Sequence, residues 1–441
     1  MFETWWYALP IVVQDGLVAA ALLTPIAVTG VACLWGYRVM PLVVGLLRKH
    51  LSTSLTFTLL IACSVAISIG LIAQERGLRE GTARAADKFD LIVAAPGSEI
   101  TAMLAAVYLQ PTALPLIDGN IYQQIENHPL VELAAPLAFG DSWEGRRIVG
   151  TTAAFVTHMS TPLAAGYVFS QMNEAVVGAN VPLDVGDVIA PTHGDGDGDG
   201  AEEDTYNTHD FSYVISGKMT RTGSPWDDAI MVSVETVWDI HAMPIGHGPE
   251  WDGSLGGPFD PAYFSGTPAV LVRAEALWAN YSLQSEFNTA QTMAFFPGNV
   301  LAQLHALMGD IRQVMQVLAI TTQVLVAVAV LTGLSMLSRI LAKRMALLRA
   351  LGAPRRFIFG VTWSFATILT VVGATVGIVL GMLATQVLSR VLTAQTGILI
   401  ETGVRWPEVH LVASFVSTVA LLSHFPAYLA SKRNLLDDLR I

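Results

Sequence analysis

Four segments of this chain are each apolar and long enough to cross a lipid bilayer, which takes about 20 apolar residues. They are Ser54–Ile72, Val314–Leu337, Phe357–Val387 and Val409–Leu429. Between the first two lies a long stretch of ordinary globular composition, large enough for a domain with its own core. This layout predicts a polytopic α-helical membrane protein with a large insertion outside the bilayer, and it disfavours a simple solute channel.

Charged residues predict how the chain is oriented. The formal net charge is -12, and the acidic residues concentrate in the insertion. Basic residues cluster instead at helix ends: Arg38, Arg48, Lys49, Arg339, Lys343, Arg344, Arg349, Arg355, Arg356, Lys432 and Arg433. Because positive residues stay cytoplasmic, we expect a multi-pass protein of the cell inner (plasma) membrane with an acidic domain in the periplasm. Such a domain argues against nucleic acid as a partner.

The N-terminal region adds a further apolar segment, Gly16–Tyr37. It follows a stretch without Lys or Arg, which is untypical of a signal peptide. We interpret it as an additional membrane helix with a kink at Pro25, the alternative being a helix that lies in the membrane plane. Val39–Leu51 then reads as an amphipathic connector on the cytoplasmic surface.

These observations divide the chain into four parts. Residues 1–51 hold the additional helix and the connector, and residues 52–74 form the first core transmembrane helix. Residues 75–305 form the periplasmic domain, which includes an acidic and His-containing loop at 191–210. Residues 306–441 hold three transmembrane helices and a cytoplasmic loop at 339–356.

The insertion reads as a mixed α+β domain, with short Val- and Ile-rich runs between turn residues. Strands are predicted at Phe89–Ala95, Arg147–Val156, Glu174–Val177, Val188–Ala190, Phe211–Gly217, Ala229–Val234 and Ala269–Arg273. Helices are predicted at Ile121–His128, at Glu275–Asn288 and from Asn299 onward.

The loop between the second and third core membrane helices reads RILAKRMALLRALGAPRR. Its central stretch, Lys343–Leu351, predicts a short amphipathic helix that ends at Gly352 and Pro354. One interpretation is an electrostatic anchor that fixes topology. The other is a coupling helix that docks in a groove of a cytoplasmic motor.

This segment resembles the MacB/FtsX permeases of ABC transporters (type VII, mechanotransmission), which carry a pattern like R-E-I-A-L-L-R-A-L-G-A-S-R-R here. The chain departs from that pattern at Met345 and Pro354. Asn173–Ala190 is similar to an external-domain segment of the family, and Phe211–Val234 to the hairpin that follows it. Pro426-Ala427 and Leu439-Arg440 match the family's ending. The resemblance favours the coupling interpretation, with six residues in the contact: Arg344, Leu347, Leu348, Arg349, Leu351 and Gly352.

The resemblance implies a MacB-like periplasmic domain and a homodimeric or paired heterodimeric permease. It also implies a separate cytoplasmic ABC ATP-binding subunit that uses the ATP. The chain has no G-x-x-x-x-G-K-[ST] loop to hold nucleotide phosphates, so we expect it not to be an ATPase. No other catalytic pattern is evident, and no enzymatic cofactor is expected.

Three glycines, Gly373, Gly377 and Gly381, recur at four-residue spacing in the third core helix. Such a ridge lets a neighbouring helix approach closely. The neighbour is either a helix of the same chain or one of a second permease copy.

The insertion departs from the family at Pro191–Asp210, PTHGDGDGDGAEEDTYNTHD. Candidate metal ligands there are His193, Asp195, Asp197, Asp199, His209 and Asp210. Imidazole with carboxylate suits Zn²⁺, and alternating Asp and Gly also suits Ca²⁺. The other interpretation is a solvated linker. His241 and His247 are further candidate ligands, the alternative being a surface loop.

Several functions remain open at this point. As a permease, the chain would serve zinc or metal handling, export through an outer-membrane partner, or lipoprotein release. As a transmembrane regulator, it would control a periplasmic enzyme through a periplasmic protein partner and move no cargo.

Overall fold

The computed structural model describes residues 6, 8–193, 211–307, 309–340 and 342–432. The chain divides into two compact units. The helical unit comprises Met1–Gly77, Asp310–Arg390 and Thr402–Ile441. The α/β unit comprises Leu78–Gly309 and Val391–Glu401.

The helices and strands are numbered in chain order. The helices are α1 (Ile11–Leu34), α2 (Met40–Lys49), α3 (Leu51–Ala86), α4 (Glu99–Ala106), α5 (Gly119–Glu126), α6 (Ala153–Met159), α7 (Val234–Ile240), α8 (Leu277–Phe287), α9 (Pro297–Leu307), α10 (Gly309–Ile340), α11 (Ala342–Ala350), α12 (Arg355–Thr396), α13 (Trp406–Leu422) and α14 (His424–Lys432). The strands are β1 (Leu91–Ala94), β2 (Val131–Pro136), β3 (Ala138–Trp143), β4 (Arg146–Thr151), β5 (Ala165–Gly166), β6 (Glu174–Val177), β7 (Val188–Ile189), β8 (Thr192–His193), β9 (Tyr213–Lys218), β10 (Ile230–Ser233), β11 (Ala269–Ala274) and β12 (Met293–Phe295).

Five helical segments among the described residues are long and apolar enough to cross a membrane. They are Ile11–Leu34, Leu51–Ala86, Gln313–Gly333, Arg355–Thr396 and Trp406–Lys432. The first corresponds to the additional N-terminal helix predicted from the sequence, and Pro25 lies inside it.

Helix α1 packs along α13 within the helical unit. The imidazole Nε2 of His410 lies 3.0 Å from the carbonyl of Asp15, and the Ser417 hydroxyl donates to the carbonyl of Leu22. The core of this unit is built mainly from α3, α12 and α13, with Ile61, Val65 and Val419 fully buried.

The α/β unit contains two sheets. The smaller sheet is antiparallel, in the order β12-β1-β11-β2. The larger sheet follows the order β5-β9-β6-β10-β4-β3-β8, and β7 also pairs with β9. It is mixed, because β4 runs parallel to β10 and β6 runs parallel to β9. Two hydrophobic clusters fill the unit, one around Trp226 and the other around Trp238.

Two local expectations differ from the structure. The run Arg147–Val156, predicted as one strand, ends as a strand at Thr151. The Thr152 side chain then accepts a hydrogen bond from the amide of Phe155 and caps α6. In addition, residues 391–401 group with the α/β unit rather than with the C-terminal helices, because Ile398 and Ile400 are buried in its core.

The prediction of a hairpin over Phe211–Val234 is wrong. Strands β9 and β10 are not neighbours, since β6 lies between them and pairs with both. The connecting turn is held instead by the Asp227 carboxylate, which accepts hydrogen bonds from the amides of Thr222 and Gly223. Strands β5 and β7 pair antiparallel with β9 instead, and β7 comes from the segment that precedes residue 190.

Candidate coupling helix and candidate metal centre

The predicted coupling segment forms helix α11, and its end is set by Gly352. This residue has φ +99°, a left-handed conformation that only glycine adopts without strain. The amides of Gly352 and Ala353 donate to the carbonyls of Arg349 and Leu348, which satisfies the last turn. Pro354 follows and precedes α12, so only a short turn separates α11 from α12.

Helix α11 has a buried and an exposed side. Met345 and Ala346 are buried in the core of the helical unit, and Leu348 is partly buried against it. Leu347 is 51% exposed, and Leu351, just beyond the helix, is 85% exposed. Arg349 is half-buried, and Arg344 lies in the helix. The apolar side chains available to a partner are therefore Leu347 and Leu351.

The glycine ridge of α12 faces α3. A Cβ atom added to Gly373 would lie 2.8 Å from Cβ of Ile61, and one added to Gly377 would lie 2.7 Å from Cβ of Val65. For Gly381 the nearest atoms belong to Ile69, at 3.2 Å. The three glycines thus form a close contact between two helices of the same chain.

In the α/β unit, a β-bulge sets the direction of the Asp141 side chain. The pairing of β3 with β4 passes from Phe139 opposite Val149 directly to Asp141 opposite Ile148, so Gly140 is the extra residue. A bulge bends the strand and re-aims the next side chain. The Asp141 side chain is fully buried.

Two histidines converge on Asp141. His193, on the short strand β8, lies directly opposite Asp141 in the antiparallel pair of β3 and β8. His241 follows the last residue of α7, and its ring covers Gly140, where an added Cβ would lie 3.0 Å from Cε1. Three separate elements therefore bring one carboxylate and two imidazoles together.

The distances are compatible with a shared ion. Oδ1 of Asp141 lies 3.5 Å from Nδ1 of His193 and 3.6 Å from Nε2 of His241. One ligand atom from each residue lies within 4.8 Å of the others. Nδ1 of His241 is 2.7 Å from the carbonyl oxygen of Val237, which fixes the ring. We call these three residues the Asp-His-His cluster.

A buried phenol lies close to the cluster. Burial and, secondarily, the Asp141 carboxylate raise the pKa of Tyr213 far above its ordinary value. Its side chain is therefore a neutral hydroxyl at physiological pH.

The sequence named only part of this cluster. Of the six ligands predicted in the acidic loop, His193 belongs to it, while Asp195, Asp197, Asp199, His209 and Asp210 lie outside the described residues. His241 belongs to it as well. His247 does not: it is buried against Glu235, with Nε2 3.4 Å from Oε1, and stacks on Trp251.

Sequence reasoning missed two buried carboxylates. Asp141 sits in an ordinary strand sequence and gives no signal of its own. Glu408 pairs with Arg76, and both are buried within the helical unit. A lone carboxylate at the start of an apolar segment was a signal that could have singled out Glu408.

Comparisons with known proteins give the following findings. Residues 314–435 match the model of the family FtsX-like permease C-terminal. None of the curated proteins matches the chain significantly. Among solved structures, the chain is similar to the crystal structure of the periplasmic region of MacB from Actinobacillus actinomycetemcomitans, at 9% identity and a TM-score of 0.31. That match covers 50% of this chain and 95% of the other, and at this level it carries no argument.

The family match includes α11 and the helices that follow it, which confirms the resemblance seen in the segment RMALLRALGAPRR. The chain also has several helices long and apolar enough to span a membrane. Residues 314–435 are therefore similar to the C-terminal part of FtsX-like permeases.

Proposed function

We propose that the chain is the permease subunit of an ABC transporter and transmits ATP-driven motion to its α/β unit. In this proposal a separate cytoplasmic ABC ATP-binding subunit hydrolyses ATP. The permease acts as a dimer in the inner membrane, with the α/β unit in the periplasm. The observation that carries the proposal is the family match over residues 314–435, within which α11 offers exposed leucines beside basic residues.

The exposed leucines suit α11 for docking. A short helix between two membrane-spanning helices has little reason to expose Leu347 and Leu351 to water. Buried in a groove, each leucine would contribute about 1.5–3 kcal/mol. The buried side of α11, at Met345 and Ala346, ties the helix to the core of the helical unit, so that a push on α11 would reach the membrane helices.

The test is a photo-crosslinking residue placed at Leu351 in the full-length chain in membranes. The expected product contains a protein with the G-x-x-x-x-G-K-[ST] loop of an ATP-binding subunit. ATPase activity should copurify with the permease and be lost in the double variant Leu347→Asp, Leu351→Asp. Losing both leucines costs about 3–6 kcal/mol, which weakens the Kd by more than about 100-fold.

The control is Leu277→Asp, because Leu277 is 84% exposed but lies on α8 of the α/β unit. Leu348 is avoided, since it packs partly against the core and its replacement would disturb folding. Normal ATPase copurification with the double variant would rule out α11 as the coupling helix.

The cargo is a separate question. Export, lipoprotein release and regulation of a periplasmic enzyme would use the same motion. Zinc or another metal is the class that a specific observation favours, because the Asp-His-His cluster lies in the α/β unit.

A further inference from the structure

We propose that Asp141, His193 and His241 bind one exchangeable divalent transition-metal ion, with Zn²⁺ as the best match. The role of this ion in transport rests on the proposed function. Its binding does not, because all three side chains belong to the α/β unit and need no partner subunit.

The tautomer of His241 supports a cation between the side chains. Its Nδ1 faces the carbonyl oxygen of Val237 at 2.7 Å, and a carbonyl only accepts, so Nδ1 carries the proton. In the neutral ring, Nε2 then presents a lone pair on the side of the Asp141 carboxylate. A metal ion between these two atoms would be coordinated by both. A carbonyl that holds the other ring nitrogen is the usual support of a ligating histidine.

The spacing fits coordination better than direct hydrogen bonding. Protein N–H···O bonds are about 2.7–3.2 Å long, whereas Asp141 lies 3.5 Å and 3.6 Å from the two imidazole nitrogens. Around a tetrahedral zinc ion with bonds of about 2.0–2.2 Å, neighbouring ligand atoms are separated by about 3.3–3.6 Å. The observed distances lie within or at the edge of that range.

The donor set selects the class of ion. Two imidazole nitrogens and one carboxylate suit Zn²⁺ and its first-row neighbours, whereas Ca²⁺ and Mg²⁺ take oxygen ligands. Three protein ligands leave a position for water or an incoming ligand, unlike a closed structural site. The His193 side chain is 57% exposed, so the ion has a route to solvent. These features indicate capture and release rather than permanent retention.

The experiment uses the full-length chain in detergent micelles, stripped with a chelator and then dialysed against Zn²⁺ or Co²⁺. Bound metal per chain is measured by elemental analysis, geometry by the visible absorption of Co²⁺, and the Kd by chelator competition. Wild-type protein should bind one tight equivalent and show the spectrum of four-coordinate Co²⁺. Loss of a supporting residue alone weakens metal binding by about 10–100-fold, so Asp141→Asn and His241→Gln should each weaken it by about 100-fold or more.

His193→Gln provides a second variant, because an exposed side chain can be replaced without threatening the fold. His128→Gln is the matched control, since His128 pairs with one carboxylate, that of Glu286, at 3.2 Å. It should bind metal as the wild type does. Thermal unfolding of the metal-free proteins identifies any variant that has lost its fold.

Two outcomes would overturn the proposal. Wild-type protein that binds no tight equivalent has no such site. Tight binding retained in both Asp141→Asn and His193→Gln would place the ion elsewhere in the chain. Neither result depends on an ATPase, so the coupling proposal would stand or fall separately.

Discussion

Two buried carboxylates, Glu408 in the helical unit and Asp141 in the α/β unit, have opposite surroundings. Glu408 accepts a hydrogen bond from Arg76 on one oxygen and from the amide of Arg405 on the other, and Arg76 also donates to the carbonyl of Gly403. Asp141 faces two imidazoles at distances longer than a hydrogen bond, one of them open to solvent. The first arrangement is an ion pair that joins α3 to α13. The second has the spacing and access that a ligand needs.

The largest expected effect tests whether the Glu408 arrangement is structural. Arg76→Met leaves a buried carboxylate without its cation, and the free energy of unfolding should fall by about 3–5 kcal/mol. Unfolding in detergent micelles measures this. The double variant Arg76→Met, Glu408→Gln should recover part of the loss, because no buried charge remains. On the same helix, Arg84 pairs with Glu401 at the surface, and Arg84→Met should cost less than about 1 kcal/mol.

The glycine ridge gives a second test of close packing in the helical unit. In Gly377→Ala the new Cβ would meet the Ala62 carbonyl oxygen at 2.8 Å, so the helices must separate. We expect a loss of about 1–3 kcal/mol in the same unfolding measurement. Gly70→Ala is the control, because nothing lies within 4 Å of its added Cβ. It should be neutral or stabilise by up to about 1 kcal/mol, and equal effects of the two variants would contradict the packing argument.

Glu174, in the α/β unit, is a buried carboxylate that accepts several hydrogen bonds. Burial would raise the pKa of Glu174, but hydrogen bonds from Ser170, Tyr167 and Gln171 outweigh it and hold that pKa below its ordinary value. Because the folded-state pKa is lowered, the stabilisation is present above the ordinary carboxyl pKa and is lost as pH falls through the folded-state value. Glu174→Gln should cost about 1.5 kcal/mol at pH 7. The difference from wild type should shrink in acid unfolding series; a difference independent of pH would argue against a charge effect.

The smallest expected effect concerns the geometry of the Asp-His-His cluster. Gly140→Ala keeps all three side chains but places a Cβ 3.1 Å from Nε2 of His241, so the ring must move. A misplaced ligand should weaken Zn²⁺ binding by about tenfold. Gly97→Ala, whose Cβ would meet nothing within 4 Å, should leave the Kd unchanged. A chelator competition titration measures the Zn²⁺ Kd of both variants. An unchanged Kd in Gly140→Ala would mean that the bulge does not position the ligands.

The membrane helices and α11 could be predicted from the sequence because their signals are local. Length and apolarity indicate the membrane spans. Helix α11 ends at Ala350, one residue before the predicted end, and is followed by Gly352 and Pro354. Strand Glu174–Val177 was also predicted with its observed bounds. For the candidate metal site, the sequence could identify His193 and His241 as candidate ligands. It could not identify Asp141, the carboxylate between them.

The sequence by itself determined a helical membrane protein with a large α+β insertion and a motif that resembles FtsX-like permeases, because hydrophobic length and a specific motif need no knowledge of contacts. Only the tertiary structure decided that β6 separates β9 from β10, that a bulge at Gly140 aims Asp141 at two histidines, and that Arg76 meets Glu408 332 positions away. Strand order, register and ion pairing arise from contacts between residues far apart in the chain. Local periodicity carries no record of such contacts, so only the folded chain reveals them.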